Sequence, residues 1–502
     1  MTSYVRSAYR RSVLDARAGL EPSPPDPFDP ADAAAFERWL DEEVAGPPGR
    51  GFSRWELAIF EERVDLQVVF QDHLGRNAGA LRRWLDTDAH PISVRADIVG
   101  DTATSERPSA RQGRVVPTAD EREPAGINVV GYLAAELGVG EAARRMALAI
   151  DRVGLPSHHV GVPAAGARHQ QSLSYAPGRR LHFRDSLFCV NADETVRVTR
   201  ELEHPQRQRA DARRFGLWFW ELAEFPTTWT AAFELLEEVW VSSAFTRDAL
   251  TALSPVPVRL VPLPVTAPSR PTRYTRELLG LPQGFLFTMS MDFHSVAKRK
   301  NPFDVVTAYT AAFGPDDGAH LLIKSINGFS HLAAMERLRA AVECRPDITI
   351  IDAHWSHHQV QALVELSDCF VSLHRSEGFG LNMAMAMAAN RPVIATGYSG
   401  NMDFMDAESA FVVPYDLVDV GADAAPYSPT AQWAQPDVDV ASRMMRTVFD
   451  QPSTAAAVAA RGRTHVLTSN SVERAAAAIH AALLPGQFPA PGISRQDMEV
   501  SV

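Results

Sequence analysis

Between residues 126 and 484, short apolar runs alternate with segments of helical periodicity, and this alternation constrains the fold more than any other feature. It is typical of parallel sheets whose strands are joined by helices. The runs form two consecutive series, separated by a loop at 267–273. They lie at 127–133, 158–162, 187–191, 215–220, 239–243 and 258–262, and then at 285–291, 320–326, 348–352, 369–373, 392–396 and 410–414. We therefore predict an α/β fold with two Rossmann-like domains facing across a cleft.

The remaining segments set the predicted domain limits. Residues 1–95 lack strand-like runs and carry helically spaced aromatic and leucine residues, which predicts a helical N-terminal extension. Residues 96–125 are rich in Ser, Thr, Arg, Pro and Asp and predict a linker. The two α/β domains then cover 126–266 and 274–484, with an alanine-rich helix at 472–484 closing the fold, and 485–502 is predicted to be a disordered tail.

Composition excludes several classes of protein. The 502 residues are 46% apolar, as expected of a globular protein with sizeable cores. The net charge of −12 argues against a general nucleic-acid binder, because such binding needs a basic face. Cys189, Cys344 and Cys369 are far apart and no zinc-ligand spacing occurs. We therefore predict that the three cysteines are buried apolar side chains in a reducing compartment, and we predict no metal site.

The sequence predicts a cytoplasmic protein. Its basic N-terminus is not followed by an apolar core, so no secretory signal is predicted. No run approaches the roughly 20 apolar residues of a membrane span. The arginine-rich segment 207–214 leaves a peripheral contact with a membrane surface open, although its pattern favours a solvated helix face.

The segment 374–403, reading HRSEGFGLNMAMAMAANRPVIATGYSGNMD, predicts an anion-binding site. The glycine turn after Glu377 leaves backbone amides unpaired at the head of a helix that begins near Leu381, and those amides and the helix dipole favour a phosphate. A second glycine-bearing loop, at 397–401, follows the next strand. Ligands of parallel α/β sheets bind at the carboxyl ends of strands, where both loops are expected.

Cations and a further carboxylate follow other predicted strands. Arg299 and Lys300 lie after the first strand of the second domain, where clustered cations can neutralise a diphosphate leaving group. A solvated surface loop is the alternative. Lys324 ends an apolar strand, which implies either a pocket or a side chain that reaches water. Glu221, in the WEL tripeptide, is a candidate general base, or else a helix cap or salt-bridge partner.

A glycine pair follows the first predicted strand of the first domain. Gly138 and Gly140, in ELGVGEAAR, permit close backbone approach at a helix N-terminus, but a tight turn uses glycine for its geometry as well. The run is not GxGxxG, so a nicotinamide site is disfavoured.

The motifs ELGVGEAAR, WEL, RKNP, EGFGL and SGN fall in this order at successive strand ends, over about 126–484. In this they resemble a bacterial subgroup of the retaining glycosyltransferases of family 4. The resemblance implies the GT-B fold, a nucleotide diphosphate sugar, UDP- or GDP-linked, as substrate, and no bound cofactor or metal. The family signature is a Glu-x7-Glu pair, in which the first carboxylate meets the donor sugar and the second the nucleotide ribose. Glu377 matches the first, and Met385 stands at the place of the second.

The resemblance also implies roles for the residues above. The catalytic group is Glu377, Lys300 and Glu221, with Lys300 matching the family's diphosphate lysine and Arg299 substituting for its arginine. The donor side is implied for Arg299, Lys324, Gly378, Phe379, Gly380, Leu381, Met385, Ser399 and Gly400, and the acceptor side for Glu136, Gly138, Val139 and Gly140.

Two functions remain open at this point. The first is sugar transfer to a glycan, a lipid-linked or another hydroxyl acceptor in cell-surface polysaccharide or glycoconjugate synthesis. The second is a catalytically weakened GT-B scaffold that acts through partner binding, with partner or self-association through the helical N-terminal region. The methionine at 385 and the displaced arginine favour the second. A sugar phosphorylase is less favoured, because no cofactor-lysine motif is found.

Overall fold

The structure is a computed structural model, which describes most of the two predicted α/β domains. The described residues are 35, 38, 39, 42–45, 52, 53, 126–135, 137–162, 180–202, 212–268 and 272–484. The chain divides into two compact units, one of residues 1–120 with 165–168 and the other of 121–164 with 169–502.

The described part of the first unit includes one short antiparallel pair of strands, β1 (Glu43–Ala45) and β2 (Phe52–Ser53). The helical prediction for 1–95 did not include this pair. The rest of that prediction, the linker at 96–125 and the tail at 485–502 lie outside the described residues and stay predictions.

The second unit contains two six-stranded parallel sheets, which confirms the two predicted series. The first sheet has the order β4-β3-β5-β6-β7-β8. Its strands are β3 (Ile127–Gly131), β4 (Ser157–Gly161), β5 (Asp185–Cys189), β6 (Arg213–Leu217), β7 (Glu238–Val241) and β8 (Val258–Leu260). Its helices are α1 (Gly138–Val153), α2 (Ala192–Leu202) and α3 (Ala244–Thr251), with a 3-10 segment at Thr227–Leu235.

The second sheet has the order β11-β10-β9-β12-β13-β14. Its strands are β9 (Phe285–Asp292), β10 (Ala319–Ile326), β11 (Ile348–Asp352), β12 (Cys369–Ser372), β13 (Val393–Thr396) and β14 (Phe411–Val413). Helices in the second half of the chain are α4 (Ala297–Lys300), α5 (Pro302–Ala312), α6 (Leu332–Val342), α7 (His357–Leu366), α8 (Leu381–Ala388), α9 (Val438–Asp450), α10 (Pro452–Ser469) and α11 (Val472–Leu483). Short 3-10 segments lie at Phe293–Ser295, Gly328–Ser330 and Gly400–Asp403.

The strand order of each sheet reverses beside its first strand. In the first sheet β3 lies between β4 and β5, and in the second β9 lies between β10 and β12. A crevice forms where chain connections leave such a point in opposite directions, and ligands of α/β sheets bind there. The loops after β9 and β12 carry the cations and the glycine turn identified in the sequence, so both reach this edge of the second sheet.

The C-terminal helix α11 returns to the first domain. It packs against α1, and the alanines of 475–478 are buried in a cluster that also contains Met146 and Ile150 of α1. Arg213 of β6 donates to the carbonyl of Leu483 at 3.2 Å. The predicted helix is therefore present, one residue shorter at its end, and it packs on helix α1 of the first domain.

A hairpin absent from the sequence prediction follows β14. Its strands, β15 (Tyr415–Asp419) and β16 (Gln432–Pro436), are antiparallel, and the loop 420–431 between them contains a cis Ala425–Pro426 bond. Val420, Tyr427 and Trp433 are buried in one cluster with Trp218 and Trp220 of the first domain. We call Tyr415–Pro436 the hairpin insertion.

None of the helices in the described ranges is both long and apolar enough to cross a membrane. The three cysteines are free thiols, and Cys189 and Cys369 are buried in strands as predicted. Cys344 is exposed because it lies in the turn after α6, so the prediction that it is buried was wrong. Burial raises the pKa of the Cys189 and Cys369 thiols, so both stay protonated.

Candidate active site

A tight turn after β9 carries two cations. Helix α4 is a single turn, and the residues on either side of it, Val296 and Asn301, have left-handed backbones with φ of 61° and 56°. A β-branched residue with positive φ is costly, so surrounding contacts must hold the turn. Asn301 supplies one, because its side-chain amide donates to the carbonyl of Leu373 at 2.8 Å. The turn thereby holds Arg299 and Lys300 at the end of β12.

Both cations contact Glu377. Lys300 Nζ lies 2.5 Å from Glu377 Oε1, and Arg299 Nη1 lies 3.2 Å from Oε2. Glu377 is 9% exposed. Burial acts to raise the pKa of its carboxyl, but Lys300 and Arg299 outweigh this effect and lower the pKa to about 2. The structure therefore places an ionised carboxylate in a buried position beside two positive charges.

Arg299 also reaches the first domain. Its Nη2 lies 3.6 Å from Oε1 of Glu221, and its Nη1 donates to the carbonyl of Ser376 at 2.8 Å. The Tyr427 hydroxyl donates to Oε2 of the same glutamate at 3.1 Å. Burial acts to lower the pKa of Arg299, but the surrounding Tyr427, Glu221 and Glu377 raise it, so the guanidinium keeps its charge. Two carboxylates and two cations thus meet at this point.

The two glycine loops of the second domain lie in direct contact. The Glu377 amide donates to Ser399 Oγ at 2.8 Å, and the Gly400 amide donates to the Glu377 carbonyl at 2.9 Å. A Cβ on Gly400 would lie 2.3 Å from the carbonyl oxygen of Gly378, so only glycine fits there. The sequence signals EGFGL and SGN therefore describe one site.

Gly380 ends the turn with a left-handed backbone, at φ 95°, and α8 begins at the next residue. Within the described residues no hydrogen bond occupies the backbone amides of Phe379, Gly380, Leu381 or Asn382. These unoccupied donors and the dipole of an eight-residue helix are what the anion-binding prediction requires.

The EGFGL turn and its neighbours are hydrogen-bonded to the first domain. The Gly378 carbonyl accepts from Ser243 Oγ at 2.6 Å and from Thr246 Oγ1 at 3.3 Å. The Ala244 amide donates to Asp403 Oδ2 at 2.6 Å. Ser376 Oγ donates to the Glu221 carbonyl. The first domain therefore contacts the backbone of the EGFGL turn, as well as Arg299.

A buried histidine, His374, lies at the start of the segment 374–403. His374 is fully buried, and its Nε2 lies 3.0 Å from Asn401 Oδ1. Burial lowers the pKa of this imidazole, although Glu377 acts to raise it, so His374 is neutral. Asn401 in turn donates to the carbonyl of Thr396 at 3.0 Å. This network ties the ends of β12 and β13 together without adding charge.

Met385 lies on the accessible face of α8. Met383 and Met387 are 2% and 1% exposed, whereas Met385 is half-buried, as are Leu381 and Asn382. This burial agrees with helical spacing, which puts residues three and four apart on one face. The methionine at the second position of the family signature is therefore not part of the core.

Lys324 is not brought into contact with Glu377. It is 4% exposed, and its Nζ donates to the carbonyl of Ser325 at 2.9 Å and to that of Ala353. The ammonium also lies 5.3 Å from the ring centroid of Trp355. The charge is thus satisfied by carbonyls and an aromatic face at the ends of β10 and β11.

The predicted acceptor-side loop leads into α1, with Gly138, Val139 and Gly140 in its first turn. Glu136 lies outside the described residues. A Cβ on Gly140 would lie 2.6 Å from the carbonyl oxygen of Tyr132, whereas one on Gly138 meets nothing within 4 Å. Close packing therefore requires glycine at position 140, whereas the surroundings of Gly138 leave space for a side chain.

Several residues that contact the site were not predicted from the sequence. Ser376, Ser243, Asp403 and Tyr427 contact the site through the bonds given above. Ser376 adjoins the motif glutamate, so its place was discoverable, but Tyr427 lies in the unpredicted hairpin insertion. No cluster of three or more potential metal-binding side chains occurs in the part of the chain that the structure describes.

Comparisons with known proteins bear on this geometry. Residues 308–425 match the family described as glycosyl transferases group 1. The curated proteins provide no match. Among solved structures, a sucrose-phosphate synthase from Thermosynechococcus elongatus is similar at a TM-score of 0.51 and 15% identity, over 71% of this chain and 98% of that one. HepE from Anabaena, in complex with UDP-glucose, is similar at 0.52 and 12%, over 72% and 99%.

The structural likenesses show the fold, which is the GT-B fold of two Rossmann-like domains. The family match lies within the second of these domains and includes Glu377, its glycine turn and α8. On this match and this fold, the chain is a glycosyltransferase enzyme.

Proposed function

We propose that the enzyme is a retaining glycosyltransferase of family 4 that transfers a sugar from a nucleotide diphosphate sugar to an acceptor hydroxyl. The observation that carries this proposal is the buried, ionised Glu377, which lies between Lys300 and Arg299 and directly precedes the amides at the head of α8. A carboxylate accepts hydrogen bonds from sugar hydroxyls, and cations with helix amides stabilise phosphate.

The proposed roles follow from burial and contact. Glu377 binds hydroxyls of the donor sugar. Lys300, with 17% of its side chain exposed, and the amides of Phe379 to Leu381 bind the diphosphate and stabilise the charge that develops as it leaves. Arg299 adds a second positive charge to the site. In the retaining mechanism of the family, the leaving phosphate assists attack of the acceptor on the same face.

The donor and acceptor classes are part of the proposal. A sugar linked to UDP or GDP is the donor, and the complex of HepE with UDP-glucose makes a UDP-linked sugar the first to test. The acceptor is a glycan, lipid-linked or other hydroxyl compound in cell-surface polysaccharide or glycoconjugate synthesis. We place the reaction in the cytoplasm, with peripheral contact to a membrane surface as part of the proposal. Arg213 and Arg214 of the arginine-rich segment lie in β6, where Arg213 pairs with Asp185, so these two arginines do not form the predicted solvated helix face.

The decisive experiment measures donor binding and turnover. Calorimetry with a panel of UDP- and GDP-sugars is expected to find at least one ligand of the wild-type enzyme. Glu377→Gln and Lys300→Ala are each expected to lower turnover of that donor at least about tenfold, because each removes a charged contact worth roughly 1.5–3 kcal/mol. Glu343→Gln, at an exposed position directly after the end of α6, is the matched control.

Wild-type turnover in both site variants would contradict the proposed roles. Failure of every nucleotide sugar to bind, together with a stable complex with a partner protein, would favour the alternative of a GT-B scaffold. The half-buried methionine at 385 supports this alternative, because a thioether cannot accept hydrogen bonds from ribose hydroxyls as a carboxylate does.

A further inference from the structure

A continuous chain of contacts links the hairpin insertion to Glu377. The Tyr427 hydroxyl donates to Glu221 Oε2 at 3.1 Å. The other oxygen of Glu221 lies 3.6 Å from Nη2 of Arg299. Nη1 of the same guanidinium lies 3.2 Å from Glu377 Oε2. Contacts therefore link residues of both Rossmann-like domains to one carboxylate oxygen of Glu377.

Two members of this chain of contacts, Tyr427 and Arg299, have little freedom to move. Tyr427 is 7% exposed and Arg299 is 3% exposed. The tyrosine ring packs against Trp220 and Trp433, at centroid separations of 5.4 and 6.2 Å. Aromatic packing of this kind fixes the ring, so the hydroxyl is presented in one direction. Burial and the neighbouring Glu221 raise the pKa of the hydroxyl, which therefore keeps the proton that it donates.

The hairpin insertion is attached to the turn that carries Arg299. Lys298, in the same turn of helix, donates to the carbonyl of Val420 at 2.6 Å and lies 5.6 Å from the ring centroid of Trp433. The Ala434 amide donates to the carbonyl of Arg375, and the Arg375 amide donates to that of Arg299 at 2.8 Å. The loop that supplies Tyr427 and the turn that supplies Arg299 thus form one connected structure.

We propose that Tyr427, Glu221 and Arg299 form a positioning relay, which holds the Glu377 carboxylate in the orientation that meets the donor sugar. This inference rests on the proposed function. Lys300 alone would leave the carboxylate free to rotate about its terminal bond. A guanidinium is planar and binds carboxylates directionally, so Arg299, held between Glu221 and Glu377, fixes the second oxygen. Binding groups need such support from the residues behind them to stay in a productive geometry.

The relay has a consequence that a merely structural role lacks. Glu377 is proposed to contact the sugar, whereas Lys300 and the α8 amides contact the diphosphate. Loss of the relay should therefore weaken binding of the nucleotide sugar and leave binding of the free nucleotide diphosphate unchanged. General loosening of the fold would weaken both ligands together.

The test compares Tyr427→Phe with the wild-type enzyme, because this change removes the hydroxyl and keeps the packed ring. We expect the affinity for the nucleotide sugar to fall by roughly 5- to 50-fold, the range that small misplacements of a binding group produce. The affinity for the matching nucleotide diphosphate should stay within about twofold, and the melting temperature within about 2 °C. Tyr427→Phe should cause no further loss in a Glu221→Gln enzyme, since groups that act in series are not additive.

Tyr309→Phe is the matched control. This tyrosine is fully buried in the core of the second domain, between Phe287 and Phe313, and is no part of the site. Tyr309→Phe should leave the affinities for the nucleotide sugar and for the free nucleotide diphosphate unchanged. Equal loss of affinity for sugar nucleotide and free nucleotide in Tyr427→Phe, or no loss at all, would overturn the relay while the proposed function stood.

A second measurement separates failure of the relay from failure of the proposed function. Hydrogen exchange needs no ligand, and Tyr427→Phe is expected to speed exchange in peptides that cover 218–224 and 375–380, whereas Tyr309→Phe should not. If no nucleotide sugar binds even the wild-type enzyme, the proposed function fails. Unchanged exchange in Tyr427→Phe would then refute the physical link as well, and faster exchange would support it.

Discussion

At the scale of single residues, the charge state of Glu377 is decided by competition between burial and ion pairing. Removal of a carboxylate from water favours its neutral form, and a buried glutamate without partners has a raised pKa. Lys300 and Arg299 reverse this preference and bring the pKa of Glu377 to about 2. Both cations come from one strained turn, so the local backbone and the charge of the site depend on each other.

This competition predicts a pH dependence of stability. The pKa of Glu377 is about 2 in the folded protein, against an ordinary value of 4.5. A lowered pKa stabilises the fold above the unfolded value, and this contribution, on the order of 3 kcal/mol, is lost as the pH falls from about 4.5 towards 2. The difference in unfolding free energy between wild type and Glu377→Gln should therefore shrink from pH 6 to pH 3. Urea unfolding at several pH values measures it, and a constant difference would contradict the ion pairing.

Met385 is the residue at which the site departs from the Glu-x7-Glu signature, and its half-buried position on α8 leaves room for a polar replacement. Met385→Glu is expected to tighten binding of the nucleotide sugar about tenfold, since a charge-assisted hydrogen bond contributes roughly 1.5 kcal/mol. Calorimetry measures the affinity. Met385→Leu, which keeps volume and polarity, should bind as the wild type does. If the glutamate brings no gain, another residue holds the ribose or the helix does not face it.

At the scale of elements, two glycines allow a loop and a helix N-terminus to pack closely against backbone carbonyls. Gly400 lets the loop after β13 pack on the carbonyl of Gly378, and Gly140 lets α1 begin against the carbonyls of Tyr132 and Ala135. Neither has a left-handed backbone, so the requirement is for space. The sequence showed the glycines, but the atoms that they approach belong to loops whose positions depend on the whole sheet.

The two glycines at the start of α1 should therefore respond differently to alanine. In Gly140→Ala the Cβ would lie 2.6 Å from one backbone oxygen and 2.8 Å from another, and we expect the unfolding free energy to fall by roughly 1–3 kcal/mol. Gly138→Ala has open space and should leave stability unchanged or raise it by up to about 1 kcal/mol, because alanine favours helix. Chemical denaturation of both variants provides the comparison. Equal losses would show that the glycines serve backbone freedom instead.

At the scale of the whole molecule, the two Rossmann-like domains share apolar clusters. One contains Trp218, Trp220 and Leu222 of the first domain with Val420 and Trp433 of the hairpin insertion. Another joins α1 to α11. Because apolar burial is lost on either side if one domain opens, the domains are expected to unfold together.

We therefore predict a single cooperative transition for the part of the enzyme that contains both sheets. Leu222→Ala, at a position 1% exposed, should lower the midpoint of this transition without splitting it, at a cost of about 2–5 kcal/mol. Calorimetry with a van't Hoff comparison tests cooperativity. Leu278→Ala, at a position 71% exposed, should change little. Two resolved transitions in the Leu222 variant would show that the domains are independent.

The sequence by itself determined the two sheets and the strand ends at which the charged candidate residues lie. All twelve predicted strands are present within a few residues, and Glu377, Lys300, Arg299 and Glu221 form one chain of contacts at those strand ends. This succeeded because the period of apolar residues and the order of strands are local properties, and parallel strands bring their carboxyl ends to one edge.

Only the tertiary structure decided the partners of these residues. Tyr427 lies more than 200 positions from Glu221 in the sequence. The first strand of its hairpin is exposed, so no apolar pattern predicted the hairpin. The Lys324 ammonium donates to carbonyls at the ends of β10 and β11, and its environment therefore depends on the neighbouring strand. Helix α11 packs on the first domain because its apolar face fits α1. Contacts between segments distant in sequence depend on how the domains pack, and local periodicity carries no information about that packing.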